Sequence, residues 1–271
     1  MKYNAIVGMP RSGSTLLCNI LNQNPKFHAT TTSETGEEVS EKVARWSSSP
    51  VSKSQQFYDK KFAQRQINCI KGMISGWFFD KKIVFDKCRY WGVGHSQFSY
   101  VFPDGKIICM VRNPLSCIAS QLKQDAKNPL LGLGGMLIPT IDGLCSVGGM
   151  VGSNANTIMD LKIKEPQGNI HFIKYEDLSC EPKKTMRALY NFLEMNYYQH
   201  DFENIENTCE ELDVLYNNKF PHKGCGAIKP VLEEYNEWIP TNLQEYIMKG
   251  ISGVHADGVR FMFENFYNNE A

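Results

Sequence analysis

The sequence has no surplus of charge, no paired-cysteine spacing and no long apolar run free of glycine. Its 29 basic residues balance 29 acidic ones, so no global field recruits nucleic acid or an acidic membrane. Any anion site must be local. Nine cysteines are scattered without a C-x-x-C pair, which speaks against a zinc ribbon and for reduced thiols. That points to a reducing, cytoplasmic compartment. The first apolar run, residues 3–7, begins almost at once and is expected to leave no room for a signal peptide. Residues 129–152 carry a single charge, Asp142, yet hold seven glycines and two prolines. Such a stretch makes a poor helix, so a membrane span is not expected there. Its glycine-rich part, residues 131–152, is expected to be a mobile loop that closes over a pocket when a ligand binds. No cluster of His, Cys and Asp suggests a metal site, and His28 and His171 flank apolar runs as packed or surface residues.

At 271 residues, with 42% hydrophobic and 21% charged, the chain suits one folded domain, residues 1–271. Short apolar runs alternate with longer amphipathic ones, the pattern of a parallel sheet with crossover helices. The expected fold is a single α/β domain with a central parallel sheet flanked by helices. Strands are expected at 3–7, 27–30, 83–86, 106–111 and 169–174. Helices are expected at 14–22, 55–79, 114–126, 154–164 and 182–194. In the last of these, Pro182 suits the first turn, and Met186, Leu189, Tyr190 and Leu193 share one face.

The N-terminal strand–loop–helix resembles a nucleotide-binding P-loop, G-x-x-x-x-G-K-[ST]. Gly8, Gly13 and Thr15 occupy the expected places, but Ser14 stands where lysine should be, and Arg11 lies inside the loop. Backbone N–H groups of Ser12, Gly13, Ser14 and Thr15 at the helix start can still hold an anion, with Arg11 adding a forked cation. No strand ends in a clear metal-binding aspartate. Asp86 is the one contender, and Lys87 beside it opposes a cation. The loop therefore suits an anion bound without magnesium.

Here the sequence resembles the sulfotransferase family, whose loop reads P-[RK]-[ST]-G-[ST]-[ST]-x-L; "PRSGSTLL", from Pro10, matches it. The resemblance implies binding of 3′-phosphoadenosine-5′-phosphosulfate (PAPS), with this loop on the 5′-phosphosulfate. In "KIICMVRNPLSCIASQ" an apolar run leads to Arg112, then a helix carrying Ser120 about two turns on. The family places such an Arg and Ser on the 3′-phosphate. "IKYEDL" matches a strand end that implies Tyr175 lies against adenine, although Glu176 and Asp177 can equally cap a turn. Lys223 and Gly224 in "HKGCGAIKP" are similar to a loop that covers the 3′-phosphate.

The resemblance implies in-line sulfuryl transfer by positioning and charge stabilisation. Arg11 would stabilise charge on the bridging oxygen, and Lys87 would bridge donor and acceptor. The sulfuryl group carries one fewer negative charge than a γ-phosphate, which weakens any need for a metal. A general base is expected. The histidine of some members is replaced by Arg89 and Tyr90, with His95 a distant substitute. "SETGEEV" offers Glu37 as the choice and Glu34 as the reserve; these acids also suit an exposed first helical turn. The acceptor, a small molecule, glycan or peptide bearing a hydroxyl or amine, is not readable. Two other readings stay open: a small-molecule kinase using ATP and magnesium, and a non-catalytic nucleotide-binding module.

Overall fold

Apolar runs of five to seven residues rich in Val, Ile and Phe are too short for buried helices and pair as strands. In the computed structural model, which describes residues 1–127, 136–165, 168–216, 225–231 and 234–267, they are β1 (Lys2–Gly8), β2 (Phe27–Thr32), β3 (Ile83–Lys87), β4 (Ile107–Val111) and β5 (Ile170–Lys174). All pair in parallel, in the order β2-β3-β1-β4-β5. The chain fills one side of β1, then crosses to the other. The order reverses about β1, and the crevice at the strand ends there is where open parallel sheets bind ligands. Register aims the site: Ile6 lies beside Lys87, and Gly8 beside Met110, two residues before Arg112.

Parallel strands need long crossovers, and helices supply them. They are α1 (Ser14–Asn22), α2 (Thr35–Ser48), α3 (Pro50–Tyr58), α4 (Phe62–Trp77), α5 (Tyr90–Val93), α6 (His95–Val101) and α7 (Pro114–Lys127). There follow α8 (Leu137–Cys145), α9 (Met150–Lys164), α10 (Tyr175–Cys180), α11 (Pro182–Phe192), α12 (Thr241–Lys249) and α13 (Asp257–Met262). Side chains alternate across the sheet, so it has two cores. Tyr3, Ala5 and Val7 pack with Cys109 and Val111 beneath α4, α7 and α9. Ile6, Ile108 and Met110 pack on the other face against α1 and α11, through Leu17, Leu21, Met186 and Leu189. The protein is one α/β domain. Among the described residues, no helix is long and apolar enough to cross a membrane.

Two expectations need correction. The helix expected over residues 55–79 is two helices, because Asp59 makes a local turn: its Oδ1 accepts the Lys61 N–H at 2.9 Å. Ser49 then caps α3, with Pro50 in the first turn. From residue 136 on, the glycine-rich stretch is helix, turn and helix rather than a loop. Residues 128–135 lie outside the described residues, but α8 covers 137–145 and α9 starts at Met150. The reason lies in packing rather than propensity. A Cβ on Gly149 would meet the Gly143 carbonyl oxygen at 2.1 Å, and one on Gly152 the Ser146 carbonyl oxygen at 2.0 Å. These glycines let the α8–α9 turn close on itself, and Ile141, Cys145 and Val151 are buried there.

Candidate active site

The loop after β1 turns strand into helix with two left-handed residues. Gly13 has φ 80°, and a Cβ there would lie 2.4 Å from the Tyr175 ring, so glycine is required. Arg11 has φ 65° without being glycine, which costs roughly 1–2 kcal/mol. Its own contacts hold it: Nε donates to Ser120 Oγ at 3.2 Å, and its carbonyl accepts from Arg112 Nη1 at 2.9 Å. Strain of this kind collects at ligand sites. Burial, then Arg112, pushes the Arg11 guanidinium below its usual range.

Gly13 gives α1 no side-chain cap, and the first intrahelical bond runs from the Leu17 N–H to the Gly13 carbonyl at 3.0 Å. The N–H groups of Ser14, Thr15 and Leu16 are left at the positive end of the helix, ready for an anion. Ser12 departs from expectation. It is buried, and its N–H and hydroxyl both donate to the Met9 carbonyl, at 3.3 and 2.6 Å. It builds the loop instead of facing the cavity.

Arg11, Gly13, Ser14, Thr15, Lys87, Arg112 and Tyr175 line one cavity of about 330 Å³, joined by Arg89, Gly226 and Lys229. Lys87 is buried, and its Nζ donates to Thr15 Oγ1 at 3.0 Å and to Glu211 Oε1 at 2.7 Å. The Arg112 guanidinium stands 4.6 Å from the centre of the Tyr175 ring, which α10 presents beside the loop. Glu176 supports this corner: its Oε1 accepts the Asn113 N–H at 3.1 Å, and its Oε2 accepts from Tyr267. A carboxylate thus holds the Arg112 loop from the end of β5.

Arg112 also borders a second cavity of about 130 Å³, with Ser116, Ser120, Lys123, Tyr235 and Trp238. Among the described residues no carboxylate lines either cavity. Arg112 Nε and Trp238 Nε1 are buried donors without a hydrogen-bond partner. Ser116 and Lys123 were missed in the sequence, yet their spacing from Ser120, four and three residues, places all three on one face of α7. Tyr235, Trp238 and Glu211 carried no such signal.

Asp86 does not face the loop. Its carboxylate accepts from Tyr3 at 2.7 Å and Trp91 at 2.8 Å, and also from Thr30, Ser33 and Thr35. These five donors hold β1, β2 and β3 together, which fits a structural carboxylate better than a magnesium ligand. Glu37 and Glu38 lie in the first turn of α2, with Glu34 before it. Glu37 is exposed, and its Oε2 accepts from Cys88 Sγ at 3.1 Å. Neither Glu34 nor Glu37 lines the cavities. His95 is turned elsewhere, 2.7 Å from Lys164 Nζ. Lys223 and Gly224 lie outside the described residues.

Comparison with known proteins bears on the fold and the family. No curated protein sequence matches the chain. The sulfotransferase domain from the curacin biosynthetic pathway is 14% identical, with 97% of each chain covered and a TM-score of 0.54. Mouse sulfotransferase SULT7A1, complexed with PAP, is 13% identical over 97% of this chain and 89% of its own, with a TM-score of 0.54. Retinol dehydratase in complex with androsterone and the inactive cofactor PAP is 10% identical over 98% and 82%, with a TM-score of 0.50. At these identities the likeness shows the fold. A profile described as the sulfotransferase family matches residues 5–199, a span that holds the loop, Lys87, Arg112, Ser120 and Tyr175. The chain belongs to the sulfotransferase family.

Proposed function

We propose that the protein transfers the sulfuryl group of PAPS to a hydroxyl or amine on a small-molecule, glycan or peptide acceptor. The observation that carries this reading is the pair of cavities sharing Arg112. One has an open helix N-terminus with Arg11 and Lys87; the other has Ser116, Ser120 and Lys123. A nucleoside with an anionic group at each end suits this layout, whereas ATP carries its charge at one end. The partnerless Arg112 Nε and Trp238 Nε1 support the fit, because a buried unsatisfied donor costs roughly 1–3 kcal/mol that an anion would relieve. SULT7A1 and retinol dehydratase are both complexed with PAP, the product that such a donor would leave.

When bound, PAPS would supply an activated sulfuryl group for in-line transfer. Arg11 and the N–H groups of Ser14 to Leu16 hold the 5′ end and stabilise charge developing on the bridging oxygen. Lys87 neutralises the same region from β3. Arg112 and Ser120 hold the 3′-phosphate, helped by Ser116 and Lys123, and Tyr175 forms the adenine wall. Lys223 and Gly224 are proposed to cover the 3′-phosphate. Glu37 is the proposed base and Glu34 its reserve. Burial, then Asp86 and Glu37, pushes the Cys88 thiol up to about 12, so at neutral pH it stays a donor that orients the Glu37 carboxylate.

The test is nucleotide choice by thermal shift. 3′,5′-ADP should raise the melting temperature, by roughly 2.7 kcal/mol of stabilisation at 100 times Kd. 5′-AMP, and ATP with magnesium, should do much less at equal concentration. Equal shifts from 3′,5′-ADP and 5′-AMP would remove the 3′-phosphate site.

A further inference from the structure

We infer that Glu211 is a positioning residue for Lys87, delivered to the donor site by a strap, residues 205–211, that is anchored on α1. The inference rests on the reading of Lys87 as the cation at the donor's 5′ end. The Lys87 and Glu211 side chains are 8% and 5% exposed, with Nζ to Oε1 at 2.7 Å. Glu211 is held in turn: its Oε1 accepts the Thr32 N–H at 3.0 Å and the Thr32 hydroxyl at 2.9 Å. Lys87 Nζ also reaches Thr15 Oγ1. One ammonium therefore joins the end of β2, through Glu211, to the first turn of α1.

The strap is held by the same helix that offers its N-terminus to the donor. Asn19 Oδ1 accepts the N–H groups of Thr208 and Cys209, both at 3.0 Å, and Asn22 Nδ2 donates to Thr208 Oγ1 at 3.0 Å. Ile205 pairs with Gly226, whose segment lines the larger cavity. The strap lies beyond residues 5–199, the span that the family profile matches.

A buried ammonium without a carboxylate is easily deprotonated and poorly aimed. Glu211 supplies both the charge and the direction. Burial raises its carboxyl, but the hydrogen bond and charge of Lys87, with the two Thr32 donors, outweigh that and hold it below the usual carboxylate range. Other titratable groups act on Lys87 as well. Cys18 on α1 and Cys209 on the strap feel its charge, Asp86 precedes it on β3, and Arg11, Arg89, Arg112 and Lys229 share its cavity. Of these, Glu211 is the carboxylate bonded to the ammonium.

The experiment is calorimetry of 3′,5′-ADP binding from pH 7 to 10, which needs no acceptor. Wild type, Glu211→Gln, Glu211→Asp and the double variant Lys87→Met/Glu211→Gln are compared. Glu211→Gln should bind more weakly than wild type already at pH 7. It should then lose about tenfold in affinity at a pH at least about one unit lower than wild type does. Glu211→Asp, which keeps the charge but withdraws it by one methylene, should fall between, and the double variant should lack the added loss. Superimposable curves for wild type and Glu211→Gln would overturn the assignment. Should Glu211→Gln fail to fold, an unshifted curve for Glu211→Asp overturns it equally. A wild type that does not bind 3′,5′-ADP at any pH removes the donor reading, and this inference with it.

Discussion

Arg112 serves three contacts with one guanidinium. Nη1 holds the Arg11 carbonyl, the plane lies over Tyr175, and Nε has no partner. Removing it should therefore affect binding directly. Arg112→Ala should weaken 3′,5′-ADP by about ten- to hundredfold, the equivalent of roughly 1.5–3 kcal/mol for a charge-assisted contact. Glu37→Gln keeps the side chain's size and lies off the cavity lining, so its affinity for 3′,5′-ADP should stay near wild type. Its turnover should fall by roughly a hundredfold, as loss of a general base does. Calorimetry checks the first half, and a turnover assay on an identified acceptor the second. Undiminished turnover would move the base to Glu34 or His95. At this scale the grouping of Arg11, Gly13, Thr15 and Arg112 around one cavity was legible, because they sit in contiguous motifs next to strand ends. Glu211 was not: it meets Lys87 across 124 positions of chain.

The α8–α9 unit shows what element-level reading misses. Glycine content argues against helix, yet here close backbone approach selects it. Gly152→Ala should destabilise the protein by roughly 1–3 kcal/mol, because its Cβ would overlap two carbonyl oxygens, of Ser146 and Cys145. Gly143 is the control. It lies inside α8 with nothing within 4 Å of a Cβ, so Gly143→Ala should stabilise by roughly 0.5–1 kcal/mol. Urea unfolding of the pair measures both, and a neutral Gly152→Ala would show that the turn can relax. The α3–α4 break has a different origin: it is local chemistry at Asp59, readable in principle as a polar residue bonding its own backbone two positions on.

For the molecule as a whole, acid should weaken the fold through its histidines. Burial holds His200 down to about 4, and lowers His28 and His171 as well. His200 sits among Tyr190, Tyr197 and Tyr198, with Nε2 3.2 Å from the Tyr190 hydroxyl. Between about pH 6.5 and 4 the unfolded chain binds a proton that the folded protein refuses. Stability from this group is thus complete above about 6.5 and is lost as pH falls toward 4. The melting temperature should decline across that window, and His200→Phe should flatten the decline while leaving the neutral-pH value nearly unchanged. A slope identical to wild type would assign the loss to other groups.

Local patterns in the sequence determined the five strands, the helices over 14–22, 114–126, 154–164 and 182–194, and the glycine-bearing loop, because each depends on neighbours a few residues apart. Residues 3–7, 83–86 and 106–111 could be recognised as strands since buried parallel strands are short apolar runs. Only the tertiary structure decided which side chains face the cavity. Ser12 belongs to the motif but turns inward to Met9, because the tight turn needs its own hydrogen bonds satisfied before any ligand arrives. Asp86 and Lys87 are adjacent in the chain, yet strand alternation sends one into a five-donor structural network and the other to Thr15 at the start of α1. Trp238 and Glu211 join the site through contacts between elements distant in sequence, where no local spacing records the partner.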